Sequence, residues 1–207
     1  MDLTQTHRDA LNDILQWRRD VRHFLPDTID PTVMDRLRSA MDLAPSVGNA
    51  RPWRVIEVAS PALRAQIIAN FETANQSAGA IYNGDQQSDY FALKLAGLRD
   101  APIQLAVFTA TNPAEGHGLG RQSMPEMLAY STVCAIHTLW LAARAENLGL
   151  GWVSILDPNE VARILDVPDH WHLTGYLCLG QAAQDDDTPL LHRVNWQQNT
   201  PSHWQKR

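Results

Sequence analysis

The sequence predicts an α+β fold, helices layered against a sheet, on three observations. Helix-spaced apolar segments outnumber strand-like runs. The two kinds do not alternate regularly, as a doubly wound parallel sheet would require. One β-rich apolar run, Ile103 to Thr109, has the character of a buried strand. The chain has 207 residues, enough for one ordinary domain that buries roughly 70% of its unfolded surface without a disulfide or metal staple.

The elements follow in order. Leu11, Ile14 and Leu15 share one side of a helix that ends near Trp17, runs into Arg18-Arg19-Asp20-Val21-Arg22 and stops by Pro26. A second helix starts after Asp30-Pro31 and turns Val33, Met34, Leu37 and Met41 inward. Pro45, Gly48 and Pro52 mark a loop, and Trp53 to Val58 alternates like a half-buried strand. Pro61 opens a helix through Phe71. The small, polar stretch from Asn75 to Ser88 reads as a mobile loop, with a helix from Tyr90 to Leu98 after it. Past the Ile103 strand and a Gly-containing loop from Thr111 to Gln122, Met127 to Leu148 is a long helix, apolar almost all round and therefore central. Gly149 and Gly151 end that helix, and Trp152 to Leu156 is a short strand. A helix from Pro158 to Leu165 and a strand from His172 to Leu179 complete the series.

Composition narrows the function. Hydrophobic residues make up 44% and charged residues 19%, the balance of a folded protein. The net charge is −6, from 17 Lys+Arg against 23 Asp+Glu, which lacks the basic footprint of a nucleic-acid binder. No apolar run approaches the roughly 20 residues of a membrane span. Met1 to Arg19 lacks the apolar stretch of a signal peptide, so the expected location is the cytoplasm. Cys134 and Cys178 lie in apolar surroundings and are expected to be reduced core residues.

Several chemistries lack their motifs. There is no GxxxxGK[ST], no GxGxxG between a strand and a helix, no GxSxG elbow and no HExxH. Gly116, Gly118 and Gly120 read as plain loop, His170 and His172 as surface residues, and no catalytic metal is expected. Three segments retain possibilities. Arg18, Arg19 and Arg22 repel one another and need acidic partners or an anionic ligand, unless they only complement a helix C-terminus. Asp20 is then a reactive carboxylate or merely their ion-pair partner. Ala44 to Trp53 offers a hydroxyl, free N–H groups and a flexible glycine to a planar ligand, or it is a helix-to-strand turn. Gly149 to Ser154 permits a close backbone approach before Ser154, or it is a helix cap leading into a strand.

Together RRDVR, APSVGNARPW and LGLGWVSI, in that order and spread between Leu11 and Gly180, resemble the FMN-binding nitroreductase-fold superfamily. Asp20, Tyr130-Ser131-Thr132-Val133-Cys134-Ala135 and Gly151-Trp152-Val153-Ser154-Ile155 resemble, more narrowly, its branch that fragments reduced FMN to 5,6-dimethylbenzimidazole. The resemblance implies a nitroreductase-like, mostly antiparallel sheet flanked by helices, in a homodimer with flavin at the subunit interface. It implies FMNH2 as both cofactor and substrate, O2 as co-substrate, and erythrose 4-phosphate as the other product. A separate flavin reductase would supply the FMNH2, with no NAD(P)H site on this chain. By the same resemblance Arg18, Arg19 and Arg22 bind phosphate, Ser46 and Gly48 contact the ring, and Asp20 and Ser154 serve flavin cleavage. Val21, Trp152 and Val153 join the cofactor-binding set, and Lys94 and Arg99 reach the flavin from a lid between about Asn75 and Leu98. One departure stands out. Gln197-Gln198-Asn199 follow Trp196 where the family often has an arginine, so a C-terminal phosphate contact falls to Arg193 or is absent. Two rival readings share these motifs: an NAD(P)H-dependent FMN nitroreductase, and a module that stores flavin without chemistry.

Overall fold

The computed structural model describes residues 1–93 and 97–207. Helix α1 (Gln5–Trp17) leads into an extended segment and then α2 (Pro31–Met41). A 3₁₀ turn (Val47–Asn49) precedes β1 (Trp53–Glu57), α3 (Pro61–Gly79) and α4 (Asp85–Ala92). Strand β2 (Ile103–Ala110), a second 3₁₀ turn (Glu115–Gly118), α5 (Met127–Ala145) and β3 (Gly149–Val153) follow. The series ends with α6 (Pro158–Ile164), β4 (Trp171–Gly180) and the short α7 (Leu190–Arg193). Three helices start with one device: Asp30, Ser60 and Asp157 cap them with a side-chain oxygen, and a proline occupies the first turn.

The four strands form one antiparallel sheet in the order β1-β2-β4-β3. Side chains alternate between its two faces. Leu105 and Val107 of β2 and Leu177 and Leu179 of β4 meet α2 and α5 on one face. Ala106 and Phe108, with Tyr176 and Cys178, meet α3 and α6 on the other. Both faces are covered, so β2 reads as an unbroken apolar run. Burying each such Leu or Phe stabilises the fold by roughly 1.5–3 kcal/mol.

The antiparallel α+β expectation holds, with four local corrections. Helix α3 continues to Gly79 and α4 starts at Asp85, so most of the expected Asn75–Ser88 loop is helical. Tyr90 gives the reason: buried, its hydroxyl donates to Asn75 (2.9 Å), while the Phe91 ring packs on Gly79. Gly149 and Gly151 lie within β3 rather than capping α5, and Ser154 to Leu156 fall beyond the strand. Helix α5 is not covered all round: Leu128, Ala135, Ile136, Leu139 and Ala143 are buried, whereas Tyr130 and Val133 are exposed. Cys134 lies on that exposed side and is not a core residue, whereas Cys178 is. Helix α1 buries none of its residues within this chain. Among the described residues no helix is long and apolar enough to cross a membrane.

Candidate active site

The site grows from the end of α1. The Arg18 N–H closes the last turn on Ile14 O (2.9 Å), and the chain then extends alongside β3. Strand β3 is at the sheet edge, with one row of backbone groups open. Asp20 and Val21 occupy it as a short parallel bridge, and the Val21 N–H donates to Leu150 O (3.1 Å). The approach needs glycine. A Cβ at Gly151 would stand 2.1 Å from Val21 O, and one at Gly149 would stand 2.7 Å from the Val21 side chain.

That docking fixes Asp20. Its Oδ1 accepts from the Trp152 N–H (3.0 Å) and its Oδ2 from Arg22 Nε (3.1 Å). Arg22 Nη1 also donates to Leu93 O just past α4 (3.2 Å), so one guanidinium joins the carboxylate to the α4 segment. Arg19 folds back and donates to Leu15 O (3.0 Å) and Gln16 O, complementing the negative end of α1. Arg18 stacks over the Trp140 ring, 4.7 Å from its centroid, and among the described residues its buried Nε has no hydrogen-bond partner. Burial, and then the Arg19 charge, push Arg18 below the ordinary guanidinium value, while Asp20 pulls it the other way.

These residues line a cavity of about 610 Å³, large enough for a nucleotide-sized ligand. Arg144 and Arg193 complete its wall, paired with Asp185 (2.8 Å) and Asp186 (3.0 Å). Five arginines thus face three aspartates, leaving a surplus of positive charge for an anion. Arg193, the C-terminal candidate, does reach the cavity. Trp140, Arg144 and the Asp185–Asp186 pair went unrecognised in the sequence. The available signal was the i, i+4 spacing of Trp140 and Arg144, which puts both on one side of α5.

The remaining expected residues lie elsewhere. Ser46 and Gly48 flank the start of the first 3₁₀ turn, where Ser46 Oγ accepts from the Arg51 N–H (3.1 Å). Gly48 has φ +56, and a Cβ there would meet Leu119 O at 2.9 Å. The neighbouring Val47 N–H donates to Ser131 Oγ (3.0 Å), which anchors the turn near the N-terminal end of α5. Ser131 and Trp140 are nine residues apart on α5, roughly 13 Å along the axis and on opposite sides of it. Ser46 and Gly48 accordingly do not line the cavity. Ser154 is exposed one residue past β3, and Trp152 is half-buried. The Val153 side chain is buried in the core, so only its backbone can meet a ligand. Arg99 pairs with Glu72 and is not among the cavity residues. Lys94 lies outside the described residues.

An arginine-lined cavity at the edge of an antiparallel sheet, with its carboxylate held by backbone and guanidinium, gives this α+β protein a pocket whose charge suits an anion. The nitroreductase family model matches residues 15–181, and the chain belongs to that family. It is 62% identical over 207 residues to 5,6-dimethylbenzimidazole synthase of Rhodobacter capsulatus, covering 100% of both chains. It is 51% identical over 194 residues to the synthase of the same name from Rhodospirillum rubrum, covering 94% of this chain and 92% of that one. In fold it is similar to iodotyrosine deiodinase bound to FMN and 3-iodo-L-tyrosine, with TM-score 0.73, 21% identity, and 95% and 97% of the two chains covered.

Proposed function

We propose that this chain is a 5,6-dimethylbenzimidazole synthase, converting reduced FMN and O2 into 5,6-dimethylbenzimidazole and erythrose 4-phosphate. The observation that carries the reading is full-length likeness to the Rhodobacter synthase, at an identity far above that shared with fold relatives. The site agrees with it. An orphaned, buried Arg18 Nε in a cavity with a surplus of arginines fits a phosphate. When bound, reduced FMN supplies both the electrons for O2 and the carbon skeleton of the product.

The chain's residues then divide the work. Arg18, Arg22 and Arg193 hold the phosphate, and Arg19 adds charge while bound to the end of α1. Val21 and the Trp152 and Val153 backbone set the position of the flavin edge. Asp20, held at both oxygens by the Trp152 N–H and Arg22, keeps a carboxylate at a fixed place for proton transfer. The Ser154 hydroxyl, two residues on and exposed, orients the group being cleaved. Ser46 and Gly48 contact the ring from a second copy of the chain, because within one chain they sit across α5 from the arginine cavity and do not line it. The exposed apolar residues Leu11, Leu15, Tyr130 and Val133 supply the surface for such a homodimer. Helix α4, whose Ala92 lines the cavity with Leu93 beyond it, acts as the lid. A separate flavin reductase in the cytoplasm provides the FMNH2.

The test is a single turnover of the purified protein with stoichiometric FMNH2 in air. Dimethylbenzimidazole should form as flavin disappears. Recovery of intact FMN, with or without NAD(P)H-driven reduction of a nitroaromatic, would replace this reading with a reductase or a storage module.

A further inference from the structure

Trp140 has no part in the roles described so far, yet it touches Arg18, the Arg19 carbonyl and Trp152. Its ring packs partly buried against the core under α5. Its indole N–H donates to Arg19 O (3.3 Å), so the same backbone segment that carries the arginines pins the ring. Trp152, whose N–H holds Asp20, lies on another side with ring centroids 6.4 Å apart. The guanidinium of Arg18 stands 4.7 Å over the ring.

The three arginines of the segment differ in what occupies them. Arg19 is bound to the carbonyls of α1, and Arg22 is bound to Asp20 and Leu93 O. Among the described residues Arg18 has no carboxylate within ion-pair distance. Stacking on an aromatic face leaves the N–H donors of a guanidinium free along its edge. A free arginine would spread over many rotamers, and ordering it would weaken binding; the stack orders it beforehand.

We propose that Trp140 is the positioning residue for Arg18, and that this stack sets the chain's preference for a flavin carrying a phosphate over one without. The proposal rests on the flavin reading of the site. It does not depend on the fragmentation chemistry.

The experiment compares binding of oxidised FMN and riboflavin to the full chain by quenching of flavin fluorescence. Trp140→Leu removes the π face and keeps apolar bulk. It should weaken FMN roughly 5- to 30-fold, the range of a partly desolvated cation–π contact, and leave riboflavin within about twofold. Trp140→Phe keeps a flat face and should fall between. Adding Trp140→Leu to Arg18→Ala should weaken FMN no further than Arg18→Ala alone. Equal weakening of both flavins, an unchanged FMN affinity, or additive effects in the double variant would overturn the proposal. So would a wild-type protein that binds FMN no better than riboflavin. If Trp140→Leu does not fold, Trp140→Phe with and without Arg18→Ala decides by the same criteria. A protein that prefers FMN through Trp140 yet makes no dimethylbenzimidazole would sink the proposed function and leave this inference standing.

Discussion

Near the C-terminal end of α5, around Trp140, five arginines, Asp20 and the edge of β3 surround a single cavity. Near its N-terminal end, around Ser131, the Ser46–Gly48 turn is equally well anchored but sits beside exposed Tyr130, Val133, Leu119 and Met124. The first region is built by strand-edge pairing that only Gly149 and Gly151 permit. The second is a rigid turn next to apolar surface that a lone chain leaves in water. The difference teaches how the proposed labour is divided: one chain completes the charge-recognising half, and ring recognition is presented for another copy.

The largest expected effect comes from Asp20→Asn, which keeps the shape and loses the basic carboxylate. A group that transfers a proton contributes about 10²–10⁴-fold, or roughly 3–5 kcal/mol of barrier. Flavin binding should survive while dimethylbenzimidazole gives way to recovered FMN and hydrogen peroxide in a single turnover. A yield near wild type would reduce Asp20 to an ion-pair partner of Arg22.

Gly151→Ala strikes the docking instead of the chemistry. Its Cβ cannot coexist with Val21 O at 2.1 Å, so residues 20–22 must leave the edge of β3. Phosphate recognition and Asp20 placement should fail together, lowering FMN affinity by about 3 kcal/mol or more as two charge-assisted contacts are lost. Unchanged affinity, measured by calorimetry, would show that the edge pairing does not hold the cradle.

Arg22→Ala is narrower. It should weaken FMN more than riboflavin, by about 1.5–3 kcal/mol for one charge-assisted contact. Equal weakening would make Arg22 a brace between Asp20 and Leu93 and nothing more.

Mixing tests the division between copies directly. Asp20→Asn and Gly48→Val should each be inactive alone. Refolded together in equal amounts, they should recover about a quarter of wild-type product formation, because half the dimers hold one intact site of two. No recovery despite proven exchange of subunits would place the whole site in one chain.

The cysteines give the smallest effect. Burial pushes the Cys178 thiol up to about 12. The sign follows: this neutral, buried thiol stabilises the fold fully below the unfolded thiol's range near pH 8.5, and the contribution fades as pH rises towards 12. Alkylation at pH 8 should therefore label Cys134 and spare Cys178, with Cys134 protected at high protein concentration as its face is covered. Labelling of Cys178 first, by mass spectrometry, would contradict both the burial and the pKa.

Local signals made much of this molecule legible. Asp30-Pro31 and Pro61 announced helix starts because capping is a matter of adjacent residues, and the structure places them there. Ile103 to Thr109 announced a central strand because burial on both faces removes the polar half of the alternation. The arginines and Asp20 announced a cluster in need of compensation, by acidic partners, a helix end or an anion, because three like charges sit within five residues. The sequence alone thus determined the α+β class and most element types, and it singled out the RRDVR segment as a charge cluster in need of partners. Tertiary structure alone decided that Gly149 and Gly151 belong to a strand, since the reason is a backbone oxygen of Val21 more than a hundred residues away. It alone divided the three arginines among a helix end, a carboxylate and an indole, and brought Arg144 and Arg193 beside them. Nearest neighbours fix dihedral angles, and their signal survives in the sequence. A shared cavity depends on which edge of the sheet stays open, and that is settled only when distant segments compete to cover it.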